Sequence, residues 1–183
     1  MNLANKLTLL RVVLVPVFMA FMMIDAVWAK VIGLLVFVIA SLTDMLDGKI
    51  ARSRNMITTF GKFADPLADK MLTTAAFLIF MFDGITGPWP LFIILVREFA
   101  VSGIRLAAAA EGEVIAASFW GKFKTVTQMI AIIIGILLMC CTSFVPQTVV
   151  NLITAVLVWI SVVFTIISGA EYILKNKSLL KLK

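Results

Sequence analysis

Long apolar segments constrain this chain more than any other feature of its sequence. The 183 residues are 62% hydrophobic, only 14% of them are charged, and the mean hydropathy is +1.11. About 20 apolar residues in helical conformation cross the hydrocarbon core of a bilayer. Six such segments follow one another, at 8–28, 31–52, 58–82, 89–110, 118–142 and 147–174. We therefore predict an all-α integral membrane protein with six transmembrane helices, forming a single transmembrane domain over residues 1–183.

The basic residues predict the orientation of these helices. If both termini are cytoplasmic, the outer loops hold Lys30 as their only basic residue, beside Asp25 and Asp83. The inner side then receives the excess of cations that the positive-inside rule requires, namely Lys6, Lys49, Arg52, Arg54, Lys62, Lys122, Lys124, Lys175, Lys177, Lys181 and Lys183. We expect a multi-pass protein of the cell membrane with both termini cytoplasmic. The net charge of +6 is explained by this orientation and by attraction to anionic membrane lipids. Because the basic residues are dispersed, no nucleic acid partner is expected.

Four of the ten acidic residues lie at the inner ends of two neighbouring segments. Asp44 and Asp47 end the second segment, and Asp65 and Asp69 begin the third. Spacings of three and four residues put each pair on one face of a helix. Four close carboxylates at a membrane need a counter-charge, and an all-oxygen site in a chain without histidine favours Mg²⁺ or Mn²⁺. We predict that these aspartates bind such ions and face the cytoplasm. Two ions would suit phosphoryl transfer.

Small residues and one arginine accompany these aspartates. Gly48 and Ala51 remove bulk beside Asp47, so that a base or a phosphate could approach the backbone, while Arg52 offers a planar fork to a phosphate oxygen. Gly61 clears the facing helix in the same way. Simple helix capping is one alternative, but it explains neither the number nor the pairing of the aspartates. A small cation transporter is another, but the acidic residues cluster on one side without a matching midplane site.

This stretch resembles the signature of the CDP-alcohol phosphatidyltransferase family. It reads Asp44-x-x-Asp47-Gly48-x-x-Ala51-Arg52, then eight residues, then Gly61-x-x-x-Asp65-x-x-x-Asp69, and every fixed position is matched. The resemblance implies the CDP-alcohol phosphotransferase fold, usually as a homodimer, with a dinuclear metal site held by Asp44, Asp47 and Asp65. It also implies that Asp69 is the general base for the acceptor hydroxyl. The CDP-lipid would contact Thr8, Asp47, Gly48, Ala51, Arg52 and Gly61.

Further segments are similar to the phosphatidylglycerophosphate synthases of that family. They are Asn5-Lys6-Leu7-Thr8-Leu9-Leu10-Arg11, Gly61-Lys62-Phe63-Ala64-Asp65-Pro66-Leu67-Ala68-Asp69-Lys70, Arg97-Glu98-Phe99 and Gly121-Lys122-Phe123-Lys124-Thr125. This similarity implies transfer of the phosphatidyl group from CDP-diacylglycerol to sn-glycerol 3-phosphate, giving phosphatidylglycerophosphate and CMP. Inositol phosphate, serine and phosphatidylglycerol stay alternative acceptors. Thr8 and Arg11 could reach the cytidine or the diphosphate, or Arg11 could anchor the first span at the headgroups.

Cations in the fourth and fifth segments favour an anionic acceptor. Arg97 and Arg105 lie within the fourth segment, where a buried arginine needs a partner or a wet cavity. Lys122 and Lys124 open the fifth. We predict that these four residues bind the acceptor phosphate and that Glu98, seven residues from Arg105, holds that arginine in place. Anchoring at the membrane surface is the alternative, and it is favoured for Lys122 and for Lys175 to Lys183. For Arg97 and Arg105, the phosphate pocket or an internal ion pair is favoured over anchoring.

Overall fold

Six helices joined by short loops make up the described part of the chain. The computed structural model describes the backbone of residues 3–53, 59–110, 112, 115–116 and 118–177, and the side chains of 7–43, 68, 70–110, 112, 115–116 and 118–177. The helices are α1 Leu3–Met22, α2 Val27–Ser53, α3 Thr59–Phe82, α4 Pro88–Ala110, α5 Phe119–Cys140 and α6 Gln147–Lys175. The predicted number and order of helices are confirmed within these residues.

Five of the six helices follow the predicted segments within a few residues, and the first does not. α1 ends at Met22 and the turn to α2 lies at 23–26, whereas the apolar run continues to residue 28. Three of its four residues, Met23, Ile24 and Ala26, are apolar, so the mean hydropathy of the segment does not mark the turn although Asp25 lies within it. α4 begins at Pro88, where the fixed φ and the missing N–H of proline suit the first turn of a helix.

Apolar composition is strongest in the last two helices. α5 and α6 are long and apolar enough to cross a membrane, with hydropathies of 2.0 and 2.5. Among the described side chains, α1, α2 and α3 contribute the apolar stretches Leu7–Met22, Val27–Thr43 and Lys70–Phe82. Large apolar side chains are also exposed along all six helices, which fits a membrane environment.

α1 and α2 form one helical hairpin, α5 and α6 form a second, and α3 and α4 pack against these hairpins. α1 contacts α2, α5 contacts α6, and α2 contacts α5, while α3 lies against α1 and α4 lies against α6. Fully buried phenylalanines fill the space between α1, α2 and α3, with ring centroids 5.6 Å apart for Phe18 and Phe37 and 6.3 Å apart for Phe77 and Phe80. This core fixes α3, which carries two of the four aspartates, against the first hairpin.

The end of α3 remote from its aspartates carries a separate polar cavity. Asp83 follows α3, about 27 Å along the helix axis from Asp65 at 1.5 Å per residue. Burial raises the pKa of the Asp83 carboxyl above its ordinary value, and nearby Lys30 offsets only part of this. Lys30 also pairs with Asp25 at 3.9 Å. The cavity has a volume of about 390 Å³ and is lined by Met22, Asp25, Lys30, Asp83, Gln147 and Asn151 among others.

Gly135 allows α5 to approach α3 and α6 closely. A Cβ atom at this position would lie 2.6 Å from Cζ of Phe80 and 2.7 Å from Cγ2 of Thr154. Both of those side chains are fully buried, so neither can move aside without disturbing the core. The absence of a side chain at residue 135 therefore sets the distance between three helices.

Gly135→Ala is expected to destabilise the protein by about 1–3 kcal/mol, because overpacking a filled core forces side chains out of their rotamers. Gly103→Ala is the matched control, since Gly103 is exposed on α4 and a Cβ there meets nothing within 4 Å. That control should be neutral or stabilising by up to about 1 kcal/mol, the helix propensity of alanine over glycine. Thermal unfolding in detergent measures both. Equal melting temperatures for the two variants would contradict the close packing.

Candidate active site

The four aspartates lie on two helices that contact each other. α2 carries Asp44 and Asp47 near its end, α3 carries Asp65 and Asp69 in its first half, and α2 packs against α3. The side chains of these four residues, and of Gly48, Ala51, Arg52 and Gly61, lie outside the described ones. Among the side chains that are described, no group of three His, Cys, Asp or Glu residues is placed to hold a metal ion. The metal and CDP-lipid assignments therefore stay predictions. The donor set of four carboxylates fits Mg²⁺ or Mn²⁺ chemically.

α1 contributes two buried polar residues close to these helices. Thr8 and Arg11 are fully buried, and α1 packs against both α2 and α3. The Arg11 side chain is buried among the helices, which favours a role inside the bundle over anchoring at the headgroups. Burial of an arginine inside a bundle instead requires polar partners or an internal ligand.

A cluster of charged side chains surrounds the carboxylate of Glu98. Nη1 of Arg97 donates to Oε1 of Glu98 at 3.2 Å, Nζ of Lys124 contacts the same oxygen directly, and Nζ of Lys70 lies 3.9 Å from Oε2. Nζ of Lys70 also donates to Oγ of Ser102 and, at 3.5 Å, to the backbone carbonyl of Glu98. We call Lys70, Arg97, Glu98 and Lys124 the Glu98 cluster.

The Glu98 cluster joins three helices and carries a positive charge. Lys70 belongs to α3, Arg97 and Glu98 belong to α4, and Lys124 belongs to α5. The exposed fractions of the side chains are 7% for Lys124, 10% for Arg97, 13% for Glu98 and 29% for Lys70. Three cations and one anion give a formal charge of +2. A buried charge of this sign suits an anionic ligand.

Two glycines and a serine position Arg97. Nη2 of Arg97 donates to Oγ of Ser168 on α6 at 2.6 Å. A Cβ on Gly169 would lie 3.1 Å from Cγ of Arg97, and one on Gly121 would lie 3.5 Å from Nη2. Gly169 of α6 therefore leaves room for the arginine side chain, whereas the distance at Gly121 is an ordinary van der Waals contact. Arg97 thus forms an internal ion pair with Glu98, which the sequence allowed beside a contact with the acceptor phosphate.

Arg105 and Lys122 lie outside the Glu98 cluster. Nε of Arg105 donates to the hydroxyl of Tyr172 at 3.2 Å, and Cζ lies 5.7 Å from the centroid of the Tyr172 ring. Arg105 and Lys122 are both exposed. The structure thus brings Arg97 and Lys124 together and leaves Arg105 and Lys122 nearer the surface.

The predicted contact of Glu98 with Arg105 is wrong. Seven residues separate them, about 10 Å along the axis of α4, and Glu98 contacts Arg97, Lys70 and Lys124 instead. The contribution of Lys70 was missed, although it stands directly after Asp69 in the sequence. A cation adjacent to the expected general base was the signal that could have identified it.

Comparison with known proteins relates this geometry to a family. The model of a family described as CDP-alcohol phosphatidyltransferase matches residues 1–167. A Bacillus subtilis (strain 168) protein named CDP-diacylglycerol–glycerol-3-phosphate 3-phosphatidyltransferase is 42% identical, over 98% of this chain and 97% of its own. The protein of that name from Rickettsia bellii (strain RML369-C) is 36% identical, over 93% of both chains. A Mycobacterium tuberculosis (strain ATCC 25618 / H37Rv) protein named probable phosphatidylglycerophosphate synthase is 38% identical, over 94% of this chain and 80% of its own.

The family match extends over all four aspartates and over the residues of the Glu98 cluster. It also covers α1 to α5 entirely and much of α6. Because the match takes in nearly the whole chain and three relatives of at least 36% identity span more than nine-tenths of it, the chain belongs to the CDP-alcohol phosphatidyltransferase family.

Proposed function

We propose that the protein transfers the phosphatidyl group of CDP-diacylglycerol to sn-glycerol 3-phosphate, giving phosphatidylglycerophosphate and CMP. The observation that carries this proposal is the likeness to relatives whose names state that activity, at 36–42% identity over 93–98% of the chain. The complete signature from Asp44 to Asp69 supports the same chemistry. The protein is therefore an enzyme of phospholipid synthesis.

The proposed reaction is one displacement at phosphorus. The 1-hydroxyl oxygen of glycerol 3-phosphate attacks the lipid-side phosphorus, the bond from that phosphorus to the oxygen of CMP breaks, and CMP leaves. Asp69 accepts the hydroxyl proton as general base. A carboxylate needs to be ionised for this role, and cations nearby favour that form.

The four aspartates hold the cofactor in this proposal. Asp44, Asp47, Asp65 and Asp69 bind Mg²⁺ or Mn²⁺, most simply as two ions, which supply charge neutralisation at the diphosphate and at the leaving oxygen of CMP. The headgroup of the CDP-lipid contacts small residues that leave space for it and polar residues that bind it. These residues are Thr8, Asp47, Gly48, Ala51, Arg52 and Gly61. The burial of Thr8 on α1, which packs beside α2 and α3, supports its inclusion.

In this proposal the cations of α4 and α5 supply the positive charge of the acceptor-phosphate site. Arg97 and Lys124 carry the buried positive charge, and Arg105 and Lys122 line the exposed approach. A phosphate monoester carries about −1.5 to −2 charges at neutral pH, which complements the +2 of the Glu98 cluster. Serine as a zwitterion offers no such complement. An inositol phosphate carries the same negative charge as glycerol 3-phosphate, so the choice between these two acceptors needs a direct test.

The proposed setting is the cytoplasmic membrane. All six helices cross it, both termini lie in the cytoplasm, and the aspartates open to the cytoplasm, where soluble glycerol 3-phosphate can reach them. The distribution of basic residues supports this orientation. The family resemblance also favours a homodimer.

Purified protein in detergent, supplied with CDP-diacylglycerol and Mg²⁺, is expected to release CMP with glycerol 3-phosphate and not with serine, inositol phosphate or phosphatidylglycerol. Chelation of the metal should abolish release, and added Mg²⁺ should restore it. The measurement is CMP release, with a reaction lacking acceptor as its control. Release with another acceptor alone would leave the aspartate chemistry in place and overturn the proposed substrate.

Asp69→Asn is expected to lower kcat by about 10²–10⁴-fold, the contribution of a general base. Mn²⁺ binding and CDP-lipid binding should stay close to those of the unchanged protein, because three other carboxylates remain. CMP release measures kcat and the KM for the CDP-lipid, and Mn²⁺ electron paramagnetic resonance measures metal binding. Asp25→Asn, at the opposite end of the bundle, is the matched control and should keep full turnover. Loss of Mn²⁺ binding in Asp69→Asn would make that residue primarily a metal ligand.

A further inference from the structure

Lys70 stands at the junction of the two parts of the proposed site. It follows Asp69 directly on α3, and adjacent Cα atoms lie 3.8 Å apart. Its side chain extends to α4, where Nζ contacts Oγ of Ser102 and the carbonyl and carboxylate of Glu98. On α3, Lys70 therefore belongs to the Glu98 cluster, and the residue directly before it, Asp69, is the proposed general base.

The other two cations of the Glu98 cluster are committed to buried partners. Both terminal nitrogens of Arg97 are used, Nη1 by Glu98 and Nη2 by Ser168. Lys124 contacts Glu98 directly and is the least exposed of the three cations. Moving either side chain toward a ligand would break a buried ion pair, which is strongly unfavourable.

Lys70 is held differently. Its distance to the carboxylate, 3.9 Å, is longer than the 2.7–3.2 Å of a hydrogen bond. Its hydrogen-bond acceptors are a neutral hydroxyl and a backbone carbonyl, and its side chain is the most exposed of the three cations. Turning its ammonium toward an anion therefore breaks no close ion pair.

From these contacts we propose that Lys70 is a ligand of the acceptor phosphate, the cation of the Glu98 cluster that turns from α4 to the phosphate when glycerol 3-phosphate binds. The inference rests on the proposed function. Asp69 and Lys70 would then contact the two ends of one acceptor, its hydroxyl and its phosphate. Arg97 and Lys124 stay with Glu98 and provide the buried positive charge behind the phosphate. An acceptor without a phosphate gains nothing from Lys70, so this residue contributes to acceptor specificity.

Lys70→Met in the full-length protein tests the inference. The KM for glycerol 3-phosphate is expected to rise at least about tenfold, since the loss of one charge-assisted contact to phosphate is of that order. The KM for CDP-diacylglycerol should stay within about twofold, because the CDP-lipid contacts are unchanged. Lys70→Arg should restore most of the affinity for the acceptor. Steady-state CMP release with each substrate varied in turn gives both constants.

Lys175→Met is the matched control for the change of charge. Lys175 forms an exposed i,i+4 ion pair with Glu171 at the end of α6, so its loss changes the net charge equally without touching the cluster. It should leave both KM values unchanged. Lys70→Gln covers the case in which Lys70→Met does not fold, since an amide can still donate to Ser102. It is expected to show the same rise in acceptor KM.

Two results would overturn the role of Lys70 and leave the proposed function intact. One is an unchanged KM for glycerol 3-phosphate in both Lys70→Met and Lys70→Gln. The other is a fall in kcat alone, which would mean that Lys70 acts by positioning Asp69. If the unchanged protein itself releases no CMP with glycerol 3-phosphate, the proposed function fails first.

Discussion

The carboxylate of Glu98 is the group around which the aspartate-bearing half of the bundle is arranged. Lys70, Arg97 and Lys124 come from three helices, and their charges can be buried side by side only because one anion lies among them. Removing one partner of a buried ion pair typically costs about 3–5 kcal/mol. Arg97 extends the network to Ser168 on a fourth helix. These contacts, together with the packing of the core, hold α3, α4, α5 and α6 in their relative positions.

This arrangement links the two chemical tasks of the proposed site. In the proposed function, the aspartates on α2 and α3 would supply oxygen ligands and the base, and the Glu98 cluster would supply positive charge for an anionic acceptor. α3 takes part in both, since Asp69 and Lys70 are neighbours on it and Lys70 reaches α4. Close packing at Gly135 and the buried phenylalanines of the core keep α3 from shifting against the other helices. A fixed α3 holds the base at a constant distance from the acceptor site.

Much of the fold could be predicted from the sequence, because helix number and order follow from apolar segments that span the chain. The turn at 23–26 could not, since three of its four residues are apolar and the mean hydropathy stays high across it. Within the site, the aspartates stand on two helices as predicted, whereas periodicity along α4 wrongly assigned Glu98 to Arg105. The actual partners of Glu98 include Lys70 and Lys124, 28 and 26 residues away in the sequence. Such contacts depend on how separate helices pack, and spacing within one helix carries no information about that.

The most direct test of this account is a crystal structure of the protein with Mn²⁺ and glycerol 3-phosphate, using the anomalous signal of manganese. The account predicts manganese peaks between α2 and α3, the acceptor phosphate within hydrogen-bond distance of the ammonium of Lys70, and Glu98 still paired with Arg97 and Lys124. A phosphate bound away from the Glu98 cluster, with Lys70 still on Ser102, would contradict it.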